Sequence, residues 1–348
     1  MTLPKYNPAQ SYQWNFDQAP DPVEVEVPQL TGNYTFAGLP VGSPLGIPAG
    51  PLLNGKWCLY YASLGFDVLT YKTVRSVHRD CYALPNLQPV DCDQLTGSET
   101  HLPASSSMQG TWAVAFGMPS KTPDFWRKDI EATRNQLPSD KLLSVSVVGT
   151  VQDHWTIDDL ANDYATCARW AVESGADCIE TNFSCPNVST CDGQLYQNPQ
   201  QAALVAARVR AAIGNVPYLA KIGHVETPEQ CDTLLTAIAP HVNGLAMTNS
   251  VAVTVADASG ELIFNGERRG ICGQAILTAS LAQTKMFTEQ INEKNLNLEI
   301  IGVGGITTAA DVRAYLQTGA NATHLATAAM TNPRLAIEIK SQLEGDEK

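Results

Sequence analysis

The segment 178–187, Cys-Ile-Glu-Thr-Asn-Phe-Ser-Cys-Pro-Asn, carries the densest chemistry in the chain. Cys185 lies just past an apolar run, with a proline behind it that fixes the local backbone and with Asn182 and Asn187 on either side. Asparagine pairs donors with acceptors and so suits a planar amide or imide ligand. A thiol with an ordinary pKa of about 8.5 needs nearby cations to supply thiolate at neutral pH. The plainer alternative is a buried structural cysteine, which is the expectation for the other eight, with Cys272 in its glycine-rich stretch 270–273 the one other to watch. Two lysines, Lys72 and Lys221, end apolar runs. Lysine is seldom buried without a partner, so each points either to a ligand bearing phosphate, ring carbonyl or carboxylate, or to a side chain snorkelling to a rim. Thr248-Asn249-Ser250 ends another run, and Gly304-Gly305 ends the next. In the stretch 300–330 a Gly-Gly turn and then a small-residue turn at Thr327 would let backbone N–H groups approach a phosphate beside helix starts. Glycines that merely terminate strands are the competing explanation.

These residues need a frame that gathers strand ends. From residue 41 onward the chain alternates short apolar runs with longer amphipathic stretches, the pattern of βα units around a parallel sheet. The runs are 45–49, 68–71, 142–148, 178–182, 218–222, 244–248, 299–303 and 324–327, and helical stretches at 156–174, 198–213, 228–238, 275–293 and 309–318 lie between them. Eight strands, with a terminal helix at 333–343, predict a (β/α)8 TIM barrel whose active site sits at the C-terminal strand ends. A doubly wound open sheet would share the alternation but has no need of an eighth strand followed by a phosphate loop. Residues 1–40 read as an extended arm or a barrel-plugging hairpin, with a short strand at 23–27; residues 41–348 form the barrel. The stretch 74–141 is too long for a structureless connection, so it predicts a lid subdomain inserted between the second and third strands.

Composition bounds the partners. The net charge is −13 and no Lys/Arg run occurs, which disfavours nucleic acid and anionic membrane as partners. No two of the nine cysteines are spaced as C-x-x-C, so neither a zinc nor an iron–sulfur site is expected and no metal is assigned. The first residues have no basic start or apolar core, and no apolar stretch nears the roughly 20 residues of a membrane span. A cytoplasmic protein is expected.

Taken together, Gly46-Ile47-Pro48-Ala49-Gly50, Thr70-Tyr71-Lys72-Thr73, the NFSCPN stretch, Ala220-Lys221-Ile222, Thr248-Asn249-Ser250, Gly270-Ile271-Cys272-Gly273 and IIGVGG at 300–305 resemble the dihydroorotate dehydrogenases. A looser similarity runs to the dihydropyrimidine dehydrogenases. The resemblance spans roughly 40–340 and implies an FMN-dependent oxidoreductase built as a barrel, commonly a homodimer. By matching positions, it implies that Ala49, Gly50, Lys72, Thr73, Asn182, Lys221, Gly273, Gly304, Gly305 and Thr327 hold FMN, the last three around its phosphate. Lys72 would lie between flavin and substrate, Asn182, Asn187, Asn249 and Ser250 would bind the pyrimidine edge, and Cys185 would be the base of the soluble, cysteine-using branch. The implied reaction removes a proton from the carbon next to a carbonyl and a hydride from its neighbour, and a second electron acceptor then reoxidises the flavin.

The substrate loop is matched by residues 113–119, including Val114 and Met118, but Val114 stands where the family has an asparagine. Losing that donor–acceptor leaves part of a polar ligand unpaired, at a cost of about 1–3 kcal/mol. Another dihydropyrimidine or a cyclic enone therefore stays open as substrate, as does recognition by Arg75, Ser120 or Gln109. Ala326 also replaces a usual glycine before Thr327. A flavin-binding barrel without turnover, or a flavin-free phosphate-binding lyase or aldolase, are readings from other classes; the first needs neither Lys72 nor Cys185, and the second predicts a colourless protein.

Overall fold

Short runs that are apolar on both faces can only be strands buried between an interior and a layer of helices. Eight of them close a parallel barrel in the computed structural model, which describes residues 3–95, 99–108, 110–184 and 194–346. In chain order the barrel strands are Leu45–Ile47, Val68–Val74, Leu142–Val147, Cys178–Asn182, Tyr218–Lys221, Gly244–Met247, Glu299–Val303 and Ala322–His324. Each pairs with its sequence neighbours, and the eighth closes on the first through Thr323 opposite Leu45. The eighth strand ends earlier than its sequence suggests, because Thr327 already opens the helix Thr327–Thr331. Among the described residues no helix is long and apolar enough to cross a membrane.

The barrel floor is sealed by a hairpin, Tyr34–Phe36 against Leu39–Val41, whose Phe36 and Val41 pack on Val68, Cys178, Leu219, Ala246 and Ile301. Before it, the arm forms the helix Tyr12–Asp17 and then runs without strand pairing through 23–27, where Val23, Val25 and Val27 pack against the core as an extended segment rather than the expected strand. Beneath the second strand, Asp67 is buried between Lys141 at 2.7 Å and Lys340 at 2.8 Å, with the Ser43 hydroxyl as a further donor.

Over the opposite end lies a five-stranded sheet drawn from two connections. Leu87–Pro89, His101–Pro103 and Thr111–Val114 come from between the second and third barrel strands, and Val251–Ala256 and Arg269–Gly273 come from after the sixth. The second contribution was not expected from sequence, although the alternation Val251-Ala252-Val253-Thr254-Val255 advertises a strand with two unlike faces. Val251, Val253 and Val255 join Ala113 and Ile271 in a small core of the lid's own. Trp112, Val114 and Cys272 line the space between lid and barrel.

Candidate functional site

That space is a cavity of about 390 Å³ at the C-terminal strand ends. Gly50, Lys221, Asn249, Gly273, Gly304, Gly305 and Thr327 line it, so residues following the first, fifth, sixth, seventh and eighth strands converge there. Val114, Trp112 and Phe116 enter from the lid side. Gly273 has φ 104°, and a Cβ there would collide with the Gly110 carbonyl oxygen, so glycine is what lets the lid strand pass so close.

The second strand carries Lys72 and Thr73 near its C-terminal end. Its register with the third shifts between Tyr71 and Val74, and such an irregularity re-aims side chains. Thr73 Oγ1 donates to Ser146 Oγ at 3.0 Å, and Lys72 Nζ lies 3.4 Å from the Gly50 carbonyl oxygen. Asn182 sits level with Lys221 on the neighbouring strand. Its amide accepts from the Ser184 N–H at 3.1 Å and its Nδ2 reaches Met118 Sδ at 3.5 Å, which joins barrel to substrate loop. Asn249 Nδ2 donates to the Ser184 carbonyl, so both asparagines brace the start of the loop that leads to Cys185. Ala49, Lys72, Thr73, Met118, Asn182 and Ser250 are buried and do not line the cavity. Cys185 and Asn187 lie outside the described residues, as does Gln109.

Two of the alternative recognition residues have structural work instead. Arg75 is fully buried; its Nε donates to the Met118 carbonyl at 3.2 Å and its Nη1 to the Gly149 carbonyl at 2.7 Å. Ser120 Oγ accepts from the Arg75 N–H at 3.0 Å and donates to the Lys121 carbonyl at 2.9 Å. Both hold the lid's main chain in place. The capping box of the helix Ala309–Gln317 likewise uses the Thr307 and Thr308 N–H groups on Asp311, each at 2.9 Å, so those two donors are taken and an anion near Gly304-Gly305 meets the turn itself.

Sequence reading missed two ionisable residues in the barrel interior, where branched apolar side chains are usual. Glu180 is fully buried two positions before Asn182; burial pushes its carboxyl up, and the Lys221 ammonium pulls it back. His324 stacks on Phe36 at 5.4 Å, and a Cβ on Gly46 would fall 2.6 Å from its ring. Burial, reinforced by Lys221, pushes its pKa down to about 3, so the imidazole is neutral. The signal was there: both have the inward parity of their strands.

The family model for dihydroorotate dehydrogenase matches residues 103–346. A dihydroorotate dehydrogenase of Dictyostelium discoideum is 30% identical over 320 residues, covering 87% of this chain and 86% of its own. The chain belongs to the dihydroorotate dehydrogenase family. The catalytic subunit of the Staphylococcus carnosus dihydroorotate dehydrogenase B (NAD+) is 34% identical over 166 residues, 47% of this chain and 52% of that one. A DHODH from Eimeria tenella, solved with ferulenol, superposes with a TM-score of 0.74 at 17% identity over 95% of this chain and 88% of its own, a likeness of fold.

Family membership makes this barrel an FMN-dependent oxidoreductase acting on CH–CH bonds. The cavity fits that cofactor. Its volume lies in the range of cofactor pockets. A Cβ added to Gly50 would meet nothing within 4 Å, so the backbone faces open space there. Lys221 is buried on the wall, and the Trp112 indole N–H, also buried there, has no hydrogen-bond partner among the described residues. Buried donors in that state call for acceptors from a ligand.

Proposed function

We propose that this chain oxidises dihydroorotate to orotate, with Gly304, Gly305 and Thr327 around the FMN phosphate and Ala49, Gly50, Thr73, Lys221 and Gly273 along the rest of the cofactor. The observation that carries this reading is the convergence of Gly50, Lys221, Gly273, Gly304, Gly305 and Thr327 on one cavity from five strand ends. FMN, when bound, accepts the hydride from the ring carbon next to the one that loses its proton.

The protein's share is to orient the ring, exclude water and move that proton. Asn182 and Asn249, braced on the Ser184 backbone, present amide groups beside the loop that bears Cys185. With Asn187 and Ser250 they would bind the pyrimidine edge, and Cys185 would take the proton. Lys72 would set positive charge between flavin and substrate, and Met118, against Asn182, would close the ring in. A second acceptor must then take the electrons. The relative in Lacticaseibacillus paracasei is a fumarate enzyme and that of Staphylococcus carnosus uses NAD+, so small-molecule acceptors of both kinds are the ones to test. A cytoplasmic homodimer completes the reading, on the resemblance to the soluble branch.

The deciding experiment is anaerobic mixing of the yellow holoenzyme with dihydroorotate or dihydrouracil. Dihydroorotate should bleach the flavin absorbance; bleaching by dihydrouracil alone would transfer the assignment to another dihydropyrimidine. Val114 lines the cavity and offers no polar group. Val114→Asn should therefore tighten dihydroorotate binding by about 1 kcal/mol, roughly fivefold in Kd. An unchanged Kd would mean that Val114 does not face the substrate.

A further inference from the structure

The arm before residue 28 is bolted to the barrel, and one of its side chains reaches Lys72. Asn54 Nδ2 donates to the Phe16 carbonyl at 2.8 Å, Trp57 Nε1 to the Asn15 carbonyl at 3.0 Å and Tyr60 OH to the Pro4 carbonyl at 2.6 Å. Lys121 in the lid reaches back to Gln13 Oε1 at 2.7 Å. Held this way, the buried ring of Tyr12 lies 5.4 Å from Lys72 Nζ, and the ring of Phe116 lies 4.6 Å from it on another side. The two rings meet edge to face at 5.8 Å.

The geometry points to Tyr12 as a positioning residue for the reaction, boxing the Lys72 ammonium together with Phe116. The inference rests on the reading that places Lys72 between flavin and substrate. Lys72 is itself buried, with its ammonium 3.4 Å from the Gly50 carbonyl oxygen. Aromatic faces attract an ammonium through their quadrupole and add no negative charge. They hold the cation in place while leaving its field intact for a flavin or an anionic ring. Phe116 also lines the cavity and belongs to the substrate loop, so the box links the arm and the lysine to the lid. The matched family model begins at residue 103, so neither Tyr12 nor Lys72 is within it.

The test uses the FMN-loaded full chain and measures anaerobic flavin reduction by dihydroorotate. Tyr12→Leu keeps the bulk and removes the ring face; it should slow reduction about tenfold with FMN content unchanged. Tyr12→Phe should recover most of that loss. In a Lys72→Met background, Tyr12→Leu should add almost nothing, because Tyr12 acts through the lysine. An equal slowing by Tyr12→Leu in both backgrounds would make the ring a structural part and overturn the inference. So would a wild-type rate in Tyr12→Leu while Lys72→Met is slow, or a Tyr12→Phe variant as slow as Tyr12→Leu. If Tyr12→Leu fails to fold, Phe116→Leu carries the same comparison from the other wall. A wild-type rate in Lys72→Met overturns the inference by a separate route, showing that the role given to Lys72 is what failed.

Discussion

Cys185→Ala is expected to keep FMN and to slow its reduction by dihydroorotate by about a hundred- to ten-thousand-fold, the range over which a positioned general base acts. The proton to be removed sits on carbon next to a carbonyl, and without a base only water can take it. A thiol of ordinary pKa near 8.5 is a fair base only where cations favour its thiolate, and Lys72 is the cation assigned to that end of the barrel. Cys185→Ser should behave differently from the alanine variant. A serine hydroxyl ionises at far higher pH than a thiol, so part of the rate should survive and should keep rising with pH beyond the point where the wild-type rate levels off. The measurement is rapid-mixing absorbance of the flavin under anaerobic conditions across a pH series. Reduction by Cys185→Ala at the wild-type rate would remove this thiol from the mechanism and leave the flavin and its cavity as they are.

The barrel was legible because each strand is a short apolar run buried on both faces, and each run is followed by polar or glycine-rich residues. The site residues were legible through the same regularity: strand ends face one mouth, so Lys221, Asn249 and Gly304-Gly305 were bound to converge once the strand count was right. What sequence could not supply is anything that depends on contact between distant segments. The second half of the lid, Val251–Ala256 and Arg269–Gly273, shows an alternation that any hairpin would show, and its partner Thr111–Val114 lies more than a hundred residues away. Tyr12 reads as one aromatic in a polar arm until its ring is seen beside Lys72. Arg75 looked like a ligand-binding cation because its type suits that role, yet its guanidinium is taken up by the Met118 and Gly149 carbonyls. Glu180 and His324 share the inward parity of their strands, and went unread because a barrel interior is expected to hold branched apolar side chains.

At the other end of the barrel, Asp67→Asn is expected to cost about 3–5 kcal/mol of stability, since it strips the carboxylate from two ammonium groups. Lys340 is 3% exposed and Lys141 14%, so neither can recover its hydration in place. At about 2.1 cal/mol/K of unfolding entropy per residue, the melting temperature should fall by roughly 4–7 °C. Burial by itself would raise the pKa of Asp67, but Lys141 and Lys340 outweigh it and hold the carboxyl below the ordinary carboxylate range. The sign follows from linkage: the folded state favours the ionised carboxyl, so this contribution is complete above the unfolded carboxylate pKa. It is lost as pH falls through the depressed folded value. The gap between wild type and Asp67→Asn in urea unfolding should therefore be widest near neutral pH and narrow on acidification below the ordinary carboxylate range. A gap that stays constant into acid would mean that charge pairing is not what Asp67 supplies. Because the residue lies at the barrel floor, away from the cavity, flavin reduction in the folded variant should match the wild type at temperatures below its transition. The (β/α)8 frame keeps its stability at one face and its chemistry at the other, so a loss of activity in Asp67→Asn that tracks unfolding, and only unfolding, is the behaviour this fold requires.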